Sequence, residues 1–239
     1  MGVAARQSEG RLPKSVADGR AYRVDMELID AMRTAGSTRE FRNEAVPDEI
    51  IYRVLDNARF APNGGNRQGW RVIVVRDPVM RKSVRDLYLR SWVENFQPLF
   101  AHLPGNGTRP ADRYAEHLHE LPLQLIVLVE RAALKTTVSA IDDSAIVPGA
   151  SIYPFVQNVV LALRAEGLGT VLTAGLTPVA AEAKQLLNVP DEYVIVAHMG
   201  VGRPARPFPT RLKRKPVEEF ASIDRFGGPV LKDAEGLRA

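Results

Sequence analysis

The spacing of apolar residues changes several times along the chain, and each change marks an element. From Val24 to Arg33, Met26, Leu28, Ile29 and Met32 recur at helical spacing, and Gly36-Ser37-Thr38 breaks the run. Pro47 opens a second helix. Asp48 and Glu49 sit in its first turn, where the helix dipole favours acids. Ile50, Ile51, Val54, Leu55 and Ala58 carry it until just before Pro62. Trp70 to Val75 is a β-branched run and reads as a strand, and Asp77-Pro78 then opens a helix over about Val79 to Arg90. Leu123 to Val129 is almost continuously apolar, which predicts a strand covered on both faces. Ser151 to Glu166 is the clearest helix. Val156, Val159, Val160 and Leu163 lie on one side, and Gly167 serves as C-cap. Ile152, Phe155, Leu161 and Ala162 widen its apolar stripe, so it is expected to be buried on most faces. Thr170 to Thr173 is a short strand, Thr177-Pro178 caps and starts a helix to about Leu187, and Tyr193 to Met199 is a further strand. Gly200 to Pro216 reads as a proline- and arginine-rich excursion.

Helices come first, then strands alternate with helices, with one irregular stretch over 91–120. That order predicts an α+β fold, a sheet flanked by helices. The stretch 91–120 is expected to hold a helix, a loop at Pro104-Gly105-Asn106-Gly107 and another short helix. One domain over 21–226 is expected, between a disordered arm at 1–20 and a tail at 227–239. So many helices around one sheet leave surfaces to cover, and a homodimer is the usual cover.

Composition narrows the chemistry more than the fold. Apolar residues are 45% and charged residues 25%, ordinary for a globular domain. Cysteine is absent, which excludes disulfides, thiol nucleophiles and Cys-held zinc or iron–sulfur centres. The net charge of +4 is too mild to point to nucleic acid, and an anionic small ligand accounts for it better. No secretory core or bilayer-length apolar run is present, and position 6 is Arg6 where an acylation signal needs Ser or Thr. A soluble, cytoplasmic protein is therefore expected, with neither membrane nor nucleic acid as partner.

Four segments could carry a ligand. Ser37-Thr38-Arg39 sets hydroxyls beside a guanidinium, whose fork of donors suits paired oxygens. Pro62-Asn63-Gly64-Gly65-Asn66-Arg67-Gln68 combines close backbone approach with amides that both donate and accept. Gly167 to Gly175 supplies small residues that would let backbone lie flat against a ring. Arg203 to Lys215 contains six basic residues (Arg203, Arg206, Arg211, Lys213, Arg214 and Lys215) and no acid. Alone, each has a plainer explanation: a capped turn, an Asn/Gly-rich connection, a helix end leading into a strand, a solvated basic strip. Together they supply the parts of an FMN site. The phosphate loop, the nucleophile elbow and the dinucleotide fingerprint are absent. His102, His117 and His119 lack the fixed spacing of metal ligands, and Asp142-Asp143 reads as a turn.

In this order the segments resemble the FMN-dependent nitroreductase family, with its flavin-reductase and iodotyrosine-deiodinase-like branches. The resemblance covers about Asp25 to Phe220. It rests on Gly36-Ser37-Thr38-Arg39-Glu40-Phe41, on Ala61-Pro62-Asn63-Gly64-Gly65-Asn66-Arg67-Gln68-Gly69-Trp70, on Gly167 to Thr170, and on Leu212-Lys213-Arg214-Lys215-Pro216-Val217. It implies a homodimer around a mostly antiparallel central sheet, with FMN at the interface and NAD(P)H as electron donor. It implies that Ser37, Thr38 and Arg39 contact FMN, that Arg214 binds the phosphate with Lys213 or Lys215 in support, and that Leu172, Thr173 and Ala174 lie by the ring. Pro62, Asn63, Gly64 and Asn66 would come from the partner subunit. The family often carries Arg where this chain has Ala35 and Gly36.

The implied mechanism uses no side-chain acid or base. The flavin carries the hydride, Arg39 tunes it, and the acceptor, a nitroaromatic, a quinone or a similar small molecule, follows the nicotinamide in ping-pong order. Residues 91–120 would form a lid, with Trp92, Phe96, Phe100 and Tyr114 as stacking candidates or as plain packing. Reductive dehalogenation, flavin-consuming chemistry and non-catalytic flavin storage are the alternatives within the same fold.

Overall fold

The structure, a computed structural model, describes residues 26–100, 102, 108–134 and 147–232. The expected arm at 1–20, the Pro104–Gly107 loop, Asp142-Asp143 and the last seven residues of the tail lie outside the described residues.

Local chemistry explains most element boundaries. α1 (Leu28–Thr34) buries Ala31 and Thr34 and leaves Leu28, Ile29 and Met32 exposed. α2 (Asp48–Ala58) follows Pro47 with both acids in its first turn. α3 (Pro78–Ser91) is capped by Asp77, whose Oδ1 accepts from the Met80 backbone N–H at 2.8 Å. α4 (Pro110–His117) starts on a carboxylate as well: Asp112 Oδ2 accepts from the Arg109 N–H at 3.1 Å. α5 (Tyr153–Ala165) and α6 (Ala180–Leu186) complete the described helices.

Four strands form one antiparallel sheet: β1 (Trp70–Val75), β2 (Leu123–Glu130), β3 (Gly169–Thr173) and β4 (Tyr193–Gly202), in the order β1-β2-β4-β3. Both faces of the sheet are covered. Leu123, Leu125, Val127 and Val129 face α2 and α5 in one core, where Trp70 stacks on Phe155 at 4.9 Å and 6°. Ile126 and Leu128 face α3, α4 and α6 in the other. That double burial is what the continuous apolar run of β2 requires. On the first side, Arg53 of α2 and Glu166 at the end of α5 form a two-pronged ion pair at 2.9 and 3.0 Å.

β4 departs from the sequence expectation in its middle and at its C-terminal end. Its pairing with β2 skips a residue: Val127 faces Ala197, whereas Leu128 faces Ile195. Val196 is the extra residue of a β-bulge, and it shifts which side chains point to which face. Ile195, His198 and Gly200 therefore share the α3–α4 side, while Ala197, Met199 and Val201 share the α2–α5 side. The strand also runs on to Gly202 rather than ending at Met199, so the proline-rich excursion begins only at Arg203. Glycine is needed there because its neighbours are large. A Cβ on Gly200 would come within 2.3 Å of a Leu121 methyl and 2.5 Å of the Tyr114 hydroxyl oxygen.

Gly200→Ala should therefore overpack the sheet centre, costing roughly 1–3 kcal/mol. A thermal melt would read this as a clear fall in Tm, and an unchanged Tm would show that Tyr114 and Leu121 move aside freely.

Candidate functional site

The site is organised by the outer edge of β3. Ser37 makes a parallel bridge with Thr170, and the Thr38 N–H donates to the Thr170 carbonyl at 2.9 Å. Further along, the Arg42 N–H donates to the Arg203 carbonyl at 2.8 Å, and the Ala205 N–H to the Glu40 carbonyl at 2.9 Å. The segment after α1 is thus laid along the open edges of β3 and the end of β4, which satisfies backbone groups an edge would otherwise expose. The same bonding draws in the basic strip, because the Leu212 N–H donates to the Arg33 carbonyl at 3.0 Å.

An open cleft of about 310 Å³ lies between these segments. Gly36, Ser37, Thr38 and Arg39 form one wall, and Arg206, Phe208 and Leu212 contribute to the other. Arg206 is paired to Glu40 at 2.9 Å, whereas Arg39 has no ion-pair partner among the described residues. A hydroxyl pair beside an unpaired guanidinium is a donor set for an anion or a carbonyl edge. At Gly36 the structure supplies a reason for the missing basic residue. A Cβ there would lie 2.9 Å from a Leu212 methyl and 3.4 Å from Pro209, so the proline-rich strip occupies that space. Outside this wall, the Arg164 guanidinium lies 3.9 Å over the Phe208 ring and donates to the Thr34 hydroxyl at 3.0 Å.

The other expected site residues do not line this cleft within one chain. Pro62, Asn63, Gly64 and Asn66 form a tightly bonded loop. Asn63 Oδ1 accepts from the Gln68 N–H at 2.9 Å, the Gly64 N–H donates to Ser151 Oγ at 3.1 Å, and Asn66 adopts a φ of 52°. Leu172 and Ala174 are at the free end of β3, Leu172 with 45% of its surface exposed. Arg214 is exposed and donates only to the Lys213 carbonyl, at 2.9 Å.

The four aromatic candidates separate. Tyr114 is only 3% exposed, and its hydroxyl accepts from the Gly200 N–H at 3.0 Å. Its ring has no open face in the chain. Trp92 is also buried and donates from Nε1 to Asp112 at 2.8 Å. Phe96 and Phe100 are half-buried and stack on Trp92 at 5.8 and 6.0 Å. The stacking expectation thus narrows to these two, because Tyr114 is buried and Trp92 is held to the Asp112 carboxylate. Among the described residues no cluster of three metal-ligating side chains occurs, and no helix is long and apolar enough to cross a membrane.

The structure also joins residues that the sequence reading did not single out. His198, Gln124 and Tyr88 form a buried polar group next to Thr173. The signal for two of them was present: a Gln inside the apolar run of β2 and a His inside that of β4. Complete burial pushes the His198 imidazole down to about 3, so it is neutral. Burial pushes the Tyr88 and Tyr114 hydroxyls up, and the nearby Arg39 charge works against that rise in both.

Comparison with known proteins gives this arrangement a family. The family model described as "Nitroreductase family" matches residues 32–203. The chain belongs to the nitroreductase family. Among its relatives, the 5,6-dimethylbenzimidazole synthase of Rhodospirillum rubrum is 31% identical over 72% of this chain and 79% of its own. The NADH dehydrogenase of Thermus thermophilus is 27% identical over 75% and 89%. An oxidised iodotyrosine deiodinase, whose crystal structure holds FMN and 3-iodo-L-tyrosine, superposes with a TM-score of 0.62 at 25% identity. That match covers 84% of this chain and 100% of the other. The nitroreductase-like fold expected from the four segments is thus the fold observed.

One consequence of the buried histidine is measurable in this nitroreductase-family chain. Unfolded, His198 takes a proton near its ordinary value, whereas folded it stays neutral down to about 3. Between those limits the unfolded state binds more protons, so stability is present above the unfolded value and lost as pH falls. Urea unfolding at pH 7 and pH 5 should show wild type losing roughly 1–2 kcal/mol more than His198→Asn does. Equal losses would show that His198 is protonated in the folded state.

Proposed function

We propose that this chain is a homodimeric, FMN-dependent oxidoreductase that takes electrons from NAD(P)H and reduces a small organic acceptor such as a nitroaromatic or a quinone. The observation that carries the reading is the cleft wall of Ser37, Thr38 and Arg39, pinned to the edge of β3, with a guanidinium that has no ion-pair partner among the described residues. The FMN-bound deiodinase, similar in fold at 25% identity, supports the choice of cofactor. The names of the dehydrogenase and oxidoreductase relatives support the choice of donor.

The donor set fits such a group. Ser37 and Thr38 offer hydroxyls for the phosphate or the flavin edge, and Arg214, exposed and free to swing, would reach the phosphate with Lys213 or Lys215 beside it. Arg39 would place its charge by the pyrimidine edge, where negative charge develops on reduction. Leu172 and Ala174 would turn main-chain groups toward the ring. Pro62, Asn63, Gly64 and Asn66 of a second copy would close the other side. The exposed apolar residues of α1 fit a protein whose helices are covered by a second subunit. FMN, when bound, supplies the hydride acceptor and donor. The chain's own part is to bind, to orient, and to let nicotinamide and acceptor enter in turn over Phe96 and Phe100. A soluble, cytoplasmic enzyme follows from this reading.

A second reading, flavin-consuming or dehalogenating chemistry on the same scaffold, is favoured by the similarity to the dimethylbenzimidazole synthase and to the iodotyrosine deiodinase respectively. Anaerobic reduction separates the readings. Purified protein should be yellow and should bleach with NADH or NADPH, then recover its colour on addition of a nitroaromatic or quinone. A yellow protein that neither nicotinamide bleaches would favour the second reading or plain flavin storage. Arg214→Ala should weaken FMN binding by roughly tenfold or more, the loss of a charged hydrogen bond. Unchanged affinity would remove Arg214 from the site.

A further inference from the structure

The polar group behind β3 has directions that can be worked out atom by atom. Gln124 Nε2 donates to the backbone carbonyls of Leu118 at 3.1 Å and Arg81 at 3.4 Å. Its Oε1 therefore faces His198 Nε2, 3.2 Å away. An amide oxygen only accepts, so His198 carries its hydrogen on Nε2. On a neutral ring the other nitrogen must then be an acceptor. It faces Thr173 Oγ1 at 3.3 Å, and that hydroxyl also lies 3.1 Å from the His198 carbonyl. The Tyr88 ring packs on His198 at 5.2 Å and meets Tyr114 edge-on at 6.1 Å.

Two neighbours of the expected flavin edge are thereby held from behind. Thr173, the last residue of β3, points its hydroxyl into the core and away from the cleft. Gly175 lies against Tyr88 so closely that a Cβ there would come within 2.3 Å of the ring. Ala174 lies between them, and its carbonyl accepts from the Thr177 N–H at 2.9 Å. The chain of bonds ends on backbone carbonyls through an amide, which passes no proton onward. It is an array of fixed dipoles, and its output is geometric.

We propose that Tyr88, Thr173, His198 and Gln124 act as positioning residues that hold the Leu172–Ala174 main chain in one orientation toward the flavin ring. The proposal rests on the FMN reading above, gives the inward-turned Thr173 side chain a role, and adds Tyr88, His198 and Gln124, which touch neither cofactor nor substrate. The buried charge pattern is consistent with it: Arg39, on the cleft wall, is the charged group that acts on both Tyr88 and Tyr114. Loss of one bond in the array should loosen the ring edge without removing any group from the cleft.

The test uses FMN titrations of the full-length protein, followed by fluorescence quenching, with the visible absorption band of bound FMN and Tm recorded alongside. Thr173→Val keeps the shape and removes the hydroxyl, whereas Thr173→Ser keeps the hydroxyl. Thr173→Val should weaken FMN binding roughly five-fold or more, the worth of one hydrogen bond. It should also alter the visible band, and Thr173→Ser should restore both. A Thr173→Val protein with lowered Tm but wild-type affinity and band would overturn the proposal, because a merely structural role moves Tm alone. Should Thr173→Val fail to fold, His198→Asn removes the ring that meets Thr173 in the same array. An unchanged affinity and band there would overturn the proposal equally. Wild-type protein that takes up no FMN would overturn the cofactor reading and this proposal with it. Tight wild-type binding indifferent to both variants would overturn the proposal alone.

Discussion

One extra residue in a central strand decides how this protein is put together. β4 pairs with β2 on one side and β3 on the other, and the bulge at Val196 shifts its side-chain alternation partway along. Before the bulge Ile195 packs toward α6 and α3. After it, His198 and Gly200 take up that face, and Ala197, Met199 and Val201 take up the other. Without the shift, His198 and Gly200 would face α2 and α5, and the aliphatic residues would face the tyrosines. Both cores, and the narrow passage that admits Tyr114 beside Gly200, depend on that single offset.

The cleft is the second product of strand pairing. β3 is an edge strand, and its outer side is covered by the segment that leaves α1. That segment carries Ser37, Thr38 and Arg39. The device that protects the edge from unwanted pairing therefore also sets the cleft-lining side chains in place. Leu212 and Pro209 fill the space beside Gly36, so a proline-rich strip forms that side of the cleft. Arg39 stands on the cleft wall, and the basic side chains near Arg214 are exposed.

Behind the cleft, a neutral histidine is held where burial opposes its charge, with a donor on one nitrogen and an acceptor on the other. Such a group is costly unless each polar atom is satisfied. Here Gln124 faces one ring nitrogen, the Thr173 hydroxyl lies against the other, and the Tyr88 ring packs on the imidazole. A rigid, satisfied network directly under the end of β3 is a means of holding main-chain groups still, which is what a cofactor that does its own chemistry asks of a protein.

Much of this was legible in the sequence. The strands at Trp70–Val75 and Leu123–Val129, and the helices opened by Pro47 and by Asp77-Pro78, follow from local apolar spacing and capping, which act within a few residues. The four ligand-bearing segments were visible because glycines, hydroxyls and cations are distinctive in short runs. What lay beyond reach depended on pairing register. Nothing in Tyr193–Met199 marks Val196 as a bulge, since its neighbours Ile195 and Ala197 are apolar or small. The extension of β4 to Gly202 was hidden because glycine is a poor strand former, and only the Tyr114 and Leu121 side chains packed against it make glycine necessary. Tyr114 and Trp92 look like stacking residues in sequence and are core in the fold, because burial is set by helices distant along the chain. By itself the sequence determined the elements, the family and the inventory of donors. The tertiary structure decided which of those donors face a common cleft and which turn inward to steady it, because side-chain direction in a sheet is set by register with strands far away in the chain.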